Sequence, residues 1–308
     1  MSLTSHIMMI KPVNFKYNEE TAVNNRFQQA TKDIDVQKLA LIQFDKMLAL
    51  LENNNVNVQV FEDTLETYTP DSIFPNNWIS FHEDGSIVLY PMFSKNRRKE
   101  RRQDIIDILS NKYELKNTVD LTYFEQKDLF LEGTGSMILD RQNRVTYMCT
   151  SARSSTKILY EFCKNLGYNP LYFKAQDRKG FPIYHTNVMM CMGDNFTVIC
   201  GEAIKSVSEK DRLIKNLRRH GKEIINISFD QMEHFAGNML QIKNKYDQPL
   251  LVMSEQAYLS LNKKQLKCLE KHAQLLYSPL DVIEKNGGGS ARCMIAEIFL
   301  PLKKRPAS

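Results

Sequence analysis

Two hydrophobic rhythms alternate along this chain, one of period two and one near 3.6. His6 to Ile10 (H-I-M-M-I) reads as a short strand. Val36 to Glu52 carries Leu39, Ile42, Met47, Leu50 and Leu51 at helical spacing. Asp33 or Asp35 can cap that helix, and Asn53 to Asn55 end it. Val56 to Phe61 then alternates as a strand. The same succession returns four times, as strand, tight turn, return strand, helix and extended segment. The opening strands are Phe74 to Phe81, Phe130 to Leu139, Pro182 to Met192 and Phe235 to Ile242. Their helices are Lys99 to Leu109, Ser154 to Leu166, Glu209 to His220 and Lys263 to His272. A final apolar run, Met294 to Leu300, follows three glycines and a cysteine and has no partner downstream, while the strand at His6 has none upstream. Together they supply the missing half-unit, so the chain is expected to close on itself as five strand-hairpin-helix-strand units within one α/β domain, residues 1–308.

Polar residues at matching places support this reading. Asn77, Glu132, His185, Asn238 and Cys293 stand beside apolar runs at separations of 55, 53, 53 and 55 residues. A near-constant period of that size marks a repeat architecture. In a closed pseudo-symmetric ring, equivalent positions face a common axis. Glu132, His185 and Cys293 would then share one central pocket.

Composition leaves this picture intact and narrows the function. Hydrophobic residues are 43% and charged residues 25%, ordinary for a globular chain. A net charge of +5 suits small anionic groups but falls short of a nucleic-acid footprint. The basic run Lys95 to Arg102 reads mainly as a solvated helix face. Six cysteines occur with no Cys-x-x-Cys pair, which suggests neither a disulfide framework nor a zinc site. No apolar stretch is long enough to span a membrane. The amino terminus lacks a signal-peptide pattern. A reduced, cytoplasmic protein without metal, cofactor, nucleic-acid or membrane partner is expected, and a homo-oligomer is compatible with the sequence.

Cysteine, histidine and a carboxylate are the parts of a covalent hydrolase. The thiolate attacks, and the histidine moves protons to a leaving nitrogen and from a water. The carboxylate either orients the histidine or accepts hydrogen bonds from the substrate. Asp71, beside Pro70 and six residues before Asn77, can reach the same pocket. Two carboxylates facing one pocket suit a planar group rich in N–H donors, such as a guanidinium.

Four segments resemble motifs of the arginine deiminase/amidinotransferase superfamily, the penteins. They are P-D-S-I-F-P-N-N-W (Pro70 to Trp78), L-E-G-T-G (Leu131 to Gly135), Y-H-T-N (Tyr184 to Asn187) and G-G-G-S-A-R-C-M (Gly287 to Met294). They come in the family's order and span nearly the whole chain. F-P-N-N-W, N-R-R-K-E-R-R and A-G-N-M-L are most similar to the citrulline-utilisation hydrolase type. The resemblance implies a five-bladed α/β propeller and a hydrolase of non-peptide C–N bonds. It implies Cys293 as nucleophile, His185 as acid and base, and Glu132 as the group that binds substrate nitrogens and helps place His185. Asp71 matches a substrate-binding aspartate of the dimethylarginine-hydrolysing branch. Arg97, Arg98 and Arg153 match positions that hold a substrate α-carboxylate in some members.

Two departures shape the expected substrate. Asn77 and Asn187 stand where many members have aspartate. An asparagine offers one acceptor oxygen and two donor hydrogens, which fits a neutral ureido group better than a cationic guanidinium. A ureido amino acid, citrulline first, is therefore expected. Arginine or methylarginine deimination and amidino transfer are the alternatives, and a non-catalytic pentein used as a binding scaffold is the rival of another class. Trp78 reads as structural. His82, His220, His234 and His272 read as surface or turn residues, and His6 as facing the core. Asn238 reads as a buried amide serving its own backbone rather than the pocket.

Overall fold

The computed structural model describes residues 3–31 and 35–303. Its strands form five three-stranded sheets of one design. In each, the middle strand pairs antiparallel with a short inner strand and parallel with an outer strand that a helix brings back. The second to fifth blades are Ile79–Phe81, Ser86–Leu89 and Asn117–Asp120; Ile138–Asp140, Val145–Cys149 and Asn169–Phe173; Met190–Met192, Phe196–Ile199 and Glu223–Asn226; and Leu240–Lys243, Pro249–Ser254 and Gln274–Ser278. The first blade is made from both ends of the chain. Ala296–Glu297 pairs antiparallel with His6–Lys11, which pairs parallel with Asn57–Glu62. This is the pseudo-five-fold α/β propeller with the closure expected from the sequence.

The helices between middle and outer strands follow their local signals. Val36–Asn53 is capped by Asp35, whose carboxylate accepts from Lys38 N at 3.0 Å. The other candidate cap, Asp33, lies outside the described residues. Ser206 caps Val207–Arg219, and Asn262 caps Lys263–Glu270 in a reciprocal capping box. Their apolar faces pack on the sheets, as Phe44 and Met47 do in the first blade and Leu213 and Leu217 in the fourth. Among the described residues no helix is long and apolar enough to cross a membrane.

The long opening strands expected from the sequence are corrected. Only two to four residues of each are strand. The polar positions before them sit in or beside a single helical turn: Pro75–Asn77, Gly133–Ser136 and Thr186–Met189. Apolar runs cannot distinguish a short turn from a strand, although Pro75 at the first helical position carried the signal. Hydrogen bonds join the turns around the axis. Thr134 Oγ1 donates to Asn76 O (3.3 Å), Thr186 Oγ1 to Ser136 O (2.5 Å), and Asn238 Nδ2 to Asn187 O (2.9 Å). Arg292 N closes the series by donating to Asn238 Oδ1 (3.1 Å).

Two surface readings are corrected as well. His82 is buried and bonds Ser80 Oγ at 2.9 Å. In the basic run, Arg97 and Glu100 are buried within a 3₁₀ turn, Arg97–Glu100, and the helix starts only at Gln103. Trp78 lies in the core, and His6 is half-buried against Tyr113 Oη at 2.8 Å.

Candidate active site

The axial turns deliver Glu132, His185 and Cys293 to one place. All three are at most 5% exposed, though they come from three different blades. Glu132 and His185 each occupy the N-cap position of their turn. Cys293 follows the helix Asp281–Gly287, which Gly288 ends at φ +65°, a left-handed conformation that favours glycine. Cys293 N then bonds Ser290 O at 2.9 Å.

His185 Nε2 meets Glu132 Oε2 at 2.8 Å. An ionised carboxylate only accepts, so Nε2 carries the hydrogen and Nδ1 is the nitrogen left to exchange protons. Burial lowers the imidazole below its ordinary 6.5, against the raising influence of Glu132, so the ring is neutral at pH 7. For Glu132, burial alone would raise the pKa. Arg153, the hydrogen bond from His185 and Arg97 outweigh it and hold the carboxyl well below its usual range. Its other oxygen accepts Phe93 N at 2.9 Å.

Two amides point at the sulfur. Asn187 Nδ2 and Asn238 Nδ2 each lie 3.3 Å from Cys293 Sγ. The orientation of Asn238 is fixed from both sides, since its oxygen accepts Arg292 N and its nitrogen donates to Asn187 O. The two alternatives for Asn238 are therefore not exclusive: it bonds backbone and touches the thiol together.

The remaining expected residues divide. Asp71, Asn77, Arg97 and Arg153 line the same cavity as His185 and Cys293. Asp71 Oδ2 accepts Asn18 Nδ2 (2.7 Å) and Thr21 Oγ1 (3.1 Å), while its Oδ1 has no hydrogen-bond partner among the described residues. Burial raises the Asp71 carboxyl, opposed by Arg97, Asn18 and Thr21. Arg97 grips Glu100 with Nε and NH2 at 2.9 Å each and donates NH1 to Asn77 Oδ1 at 2.8 Å. A guanidinium only donates, so that contact fixes the Asn77 oxygen and leaves Nδ2 as a buried donor without a hydrogen-bond partner among the described residues. Asn187 Oδ1 is likewise unpartnered. Arg153 donates to Thr21 O (2.7 Å) and Asn24 Oδ1 and lies 3.5 Å from Glu132 Oε2. Arg98 is corrected: it is outside the cavity, donating to Met92 O at 3.0 Å and paired with Glu125 at 3.5 Å.

Several lining residues escaped the sequence reading. Thr21 and Asn25 belong to a polar segment that covers the cavity, and Asn18 and Gln28 brace it from within the same segment. Tyr184 packs its ring 4.7 Å from that of His185 and donates its hydroxyl to Gly288 O at 2.7 Å. The only local sign of this cover was an Asn-capped acidic turn, Asn18 with Glu19 and Glu20. The enclosed space is about 10 Å³, roughly the room of one water molecule. An amino acid needs more room than this, so side chains lining the cavity must shift to admit one.

Comparison with known proteins agrees with the ring. The apo structure of ArgZ, an arginine dihydrolase from the ornithine-ammonia cycle in cyanobacteria, superimposes with a TM-score of 0.76 at 17% identity. It covers 97% of this chain, which spans only 41% of ArgZ. The N-terminal domain of ArgZ, as a cysteine-to-serine variant bound to substrate, gives 0.75 at 18% identity over 96% of this chain and 98% of that one. A dimethylarginine dimethylaminohydrolase adduct with S-methyl-L-thiocitrulline gives 0.64 at 13% identity, over 96% of this chain and all of that one. No curated protein sequence matches. The profile of the family described as N,N dimethylarginine dimethylhydrolase, eukaryotic, matches residues 11–300. With nearly its whole length matched, this chain belongs to that family, hydrolases of guanidino carbon–nitrogen bonds within the pentein superfamily.

Proposed function

We propose that residues 1–308 form a single catalytic domain that hydrolyses a carbon–nitrogen bond of a ureido amino acid, citrulline first, through a covalent Cys293 intermediate. The observation that carries this is a set of polar atoms around the thiol's cavity that have no hydrogen-bond partner among the described residues. Asp71 Oδ1 and Asn187 Oδ1 are acceptors, and Asn77 Nδ2 is a donor. A ureido group carries N–H hydrogens for the first two and a carbonyl oxygen for the third. A guanidinium would leave the Asn77 donor facing a group with no acceptor.

In this reading Cys293 gives its thiol proton to His185 Nδ1, and the thiolate attacks the ureido carbon while Asn187 and Asn238 solvate the sulfur through their N–H groups. Negative charge gathers on the ureido oxygen, where Asn77 Nδ2 donates to it. The nitrogen that leaves takes a proton from His185, Glu132 holding the ring through Nε2. Water then gives its proton to His185 Nδ1 and breaks the carbon–sulfur bond, and the thiol is restored. We assign Arg97 and Arg153 to positioning, the first holding Asn77 and the second joining Glu132 to the cover segment.

Arginine is the second reading, favoured by the likeness to the arginine-acting ArgZ domain along nearly its whole length. Purified protein offered L-citrulline, L-arginine and a methylarginine separately decides between them. Ornithine, ammonia and carbon dioxide from citrulline are expected, with a ureido-derived mass adduct on Cys293. Fast arginine turnover with citrulline accumulating unconsumed would refute the ureido assignment.

A further inference from the structure

Far from the cavity, where the fourth and fifth blades meet at the rim, three side chains of complementary chemistry converge. Glu223 opens the outer strand of the fourth blade. Cys268 lies in the last turn of the helix Lys263–Glu270, and His272 lies two residues beyond its end, just past the cap residue Lys271. A carboxylate oxygen, the sulfur and an imidazole nitrogen all lie within 4.8 Å of one another, with His272 Nε2 at 2.9 Å from Glu223 Oε2.

Other contacts fix His272 and the two elements that carry Cys268 and Glu223. The His272 ring stacks on Phe196 at 5.1 Å and 26°, and its carbonyl accepts Gln241 Nε2 at 3.1 Å. Gln265, on the same helix, donates to Asn226 O at 2.7 Å and ties the helix to the strand that carries Glu223.

We propose that Glu223, Cys268 and His272 form a zinc site that clips the fourth blade to the fifth, with water as the fourth ligand. One thiolate, one imidazole and one carboxylate make a borderline-soft set that selects zinc over calcium or magnesium, which take oxygen ligands. Metal–ligand bonds of about 2.0–2.3 Å require donors roughly 3.3–3.7 Å apart in a tetrahedron, within reach of the spacing here after small side-chain shifts. Carboxylate and thiolate together balance the two positive charges, and the Cys268 proton is released to solvent. Lys271 is the opposing charge, 4.0 Å from Glu223 Oε1, but it is 61% exposed and free to turn outward. The cysteine spacing in the sequence could not reveal such a site, because one ligand comes from another blade.

The test uses the full chain carrying Cys293→Ser, so that the cavity thiol binds no metal. Cobalt(II) is titrated and the thiolate-to-cobalt charge-transfer band is read. One equivalent is expected, displaced by zinc. Adding Cys268→Ser should abolish the band, and His272→Asn should weaken binding at least roughly tenfold. Zinc at a hundredfold excess over its Kd should raise the melting temperature by roughly 5 °C, and not do so in Cys268→Ser. Absence of stoichiometric binding, or equal binding by the Cys268→Ser variant, would overturn the site and leave only an ion pair beside a thiol.

Discussion

Gly135 offers the sharpest test of the site. It lies in the one-turn helix after Glu132, against the turn that carries His185. A Cβ placed there would sit 2.8 Å from His185 Nδ1 and 2.9 Å from Cε1, and closer still to Asn77 Nδ2. Ordinary contact begins at 3.4 Å, so the imidazole must retreat by about 0.6 Å and the amide by more. Both groups are buried, and each is fixed by a partner, Glu132 for the ring and Arg97 for the amide. Neither can move without losing alignment. A misplacement approaching 1 Å costs on the order of 10²-fold in rate. Gly135→Ala should therefore lower kcat by about that factor. The turn itself should tolerate the change, because alanine favours helix by roughly 1 kcal/mol over glycine. Gly201→Ala is the control, since its Cβ meets only side-chain ends, Lys210 Cε at 3.3 Å and Asn226 Oδ1 at 3.4 Å. Steady-state ammonia release by the two variants and the parent, with melting curves, settles the matter. A Gly135→Ala enzyme within threefold of the parent would refute the proposed placement of His185.

Other consequences can be measured in the same assay. Asn238→Ala removes an N–H from the sulfur and the acceptor of Arg292 N, and should lower kcat roughly 10–100-fold with little change in KM. Because burial already lowers the His185 pKa below 6.5, the acid limb of the rate should lie below that pH. Glu132→Gln removes the influence that raises it, so the limb should move further to acid while kcat falls; a limb that moves to alkali contradicts the pairing. Buried Glu284, bonded to Ser290 Oγ at 2.5 Å, is pushed by burial from 4.5 up to about 7. Its folded value is the higher, so its contribution to stability is full below pH 4.5 and is lost as pH rises toward 7. The loss is on the order of 3 kcal/mol. Melting temperatures from pH 4.5 to 8 should decline less in Glu284→Gln than in the parent.

The ring was legible because each blade repeats a polar residue before a short apolar strand, so Glu132, His185 and Cys293 announced a shared axis. What lay outside the repeat was not legible. The cover from Asn18 to Gln28 has no counterpart in other blades and no apolar period. Arg97 was hidden in a charge run whose neighbours Lys95 and Lys99 are exposed, since composition averages over residues with opposite fates. The amide of Asn238 looked like a backbone servant because its contact with sulfur depends on a residue 55 positions away. Long opening strands were expected where single turns occur, because buried turns and buried strands use the same apolar residues.

The closure of the first blade also sets the order of assembly. Its sheet needs Ala296–Glu297 beside His6–Lys11, and Cys293 stands three residues before that pairing. Four blades can fold before Ala296–Glu297 is made, yet the first blade and the nucleophile wait for that strand to arrive. Contacts of such sequence separation form late. Until they do, Glu132 and His185 face an axis without its thiol, so a partly made chain holds no reactive centre. Closing the ring and arming the site are one event in time.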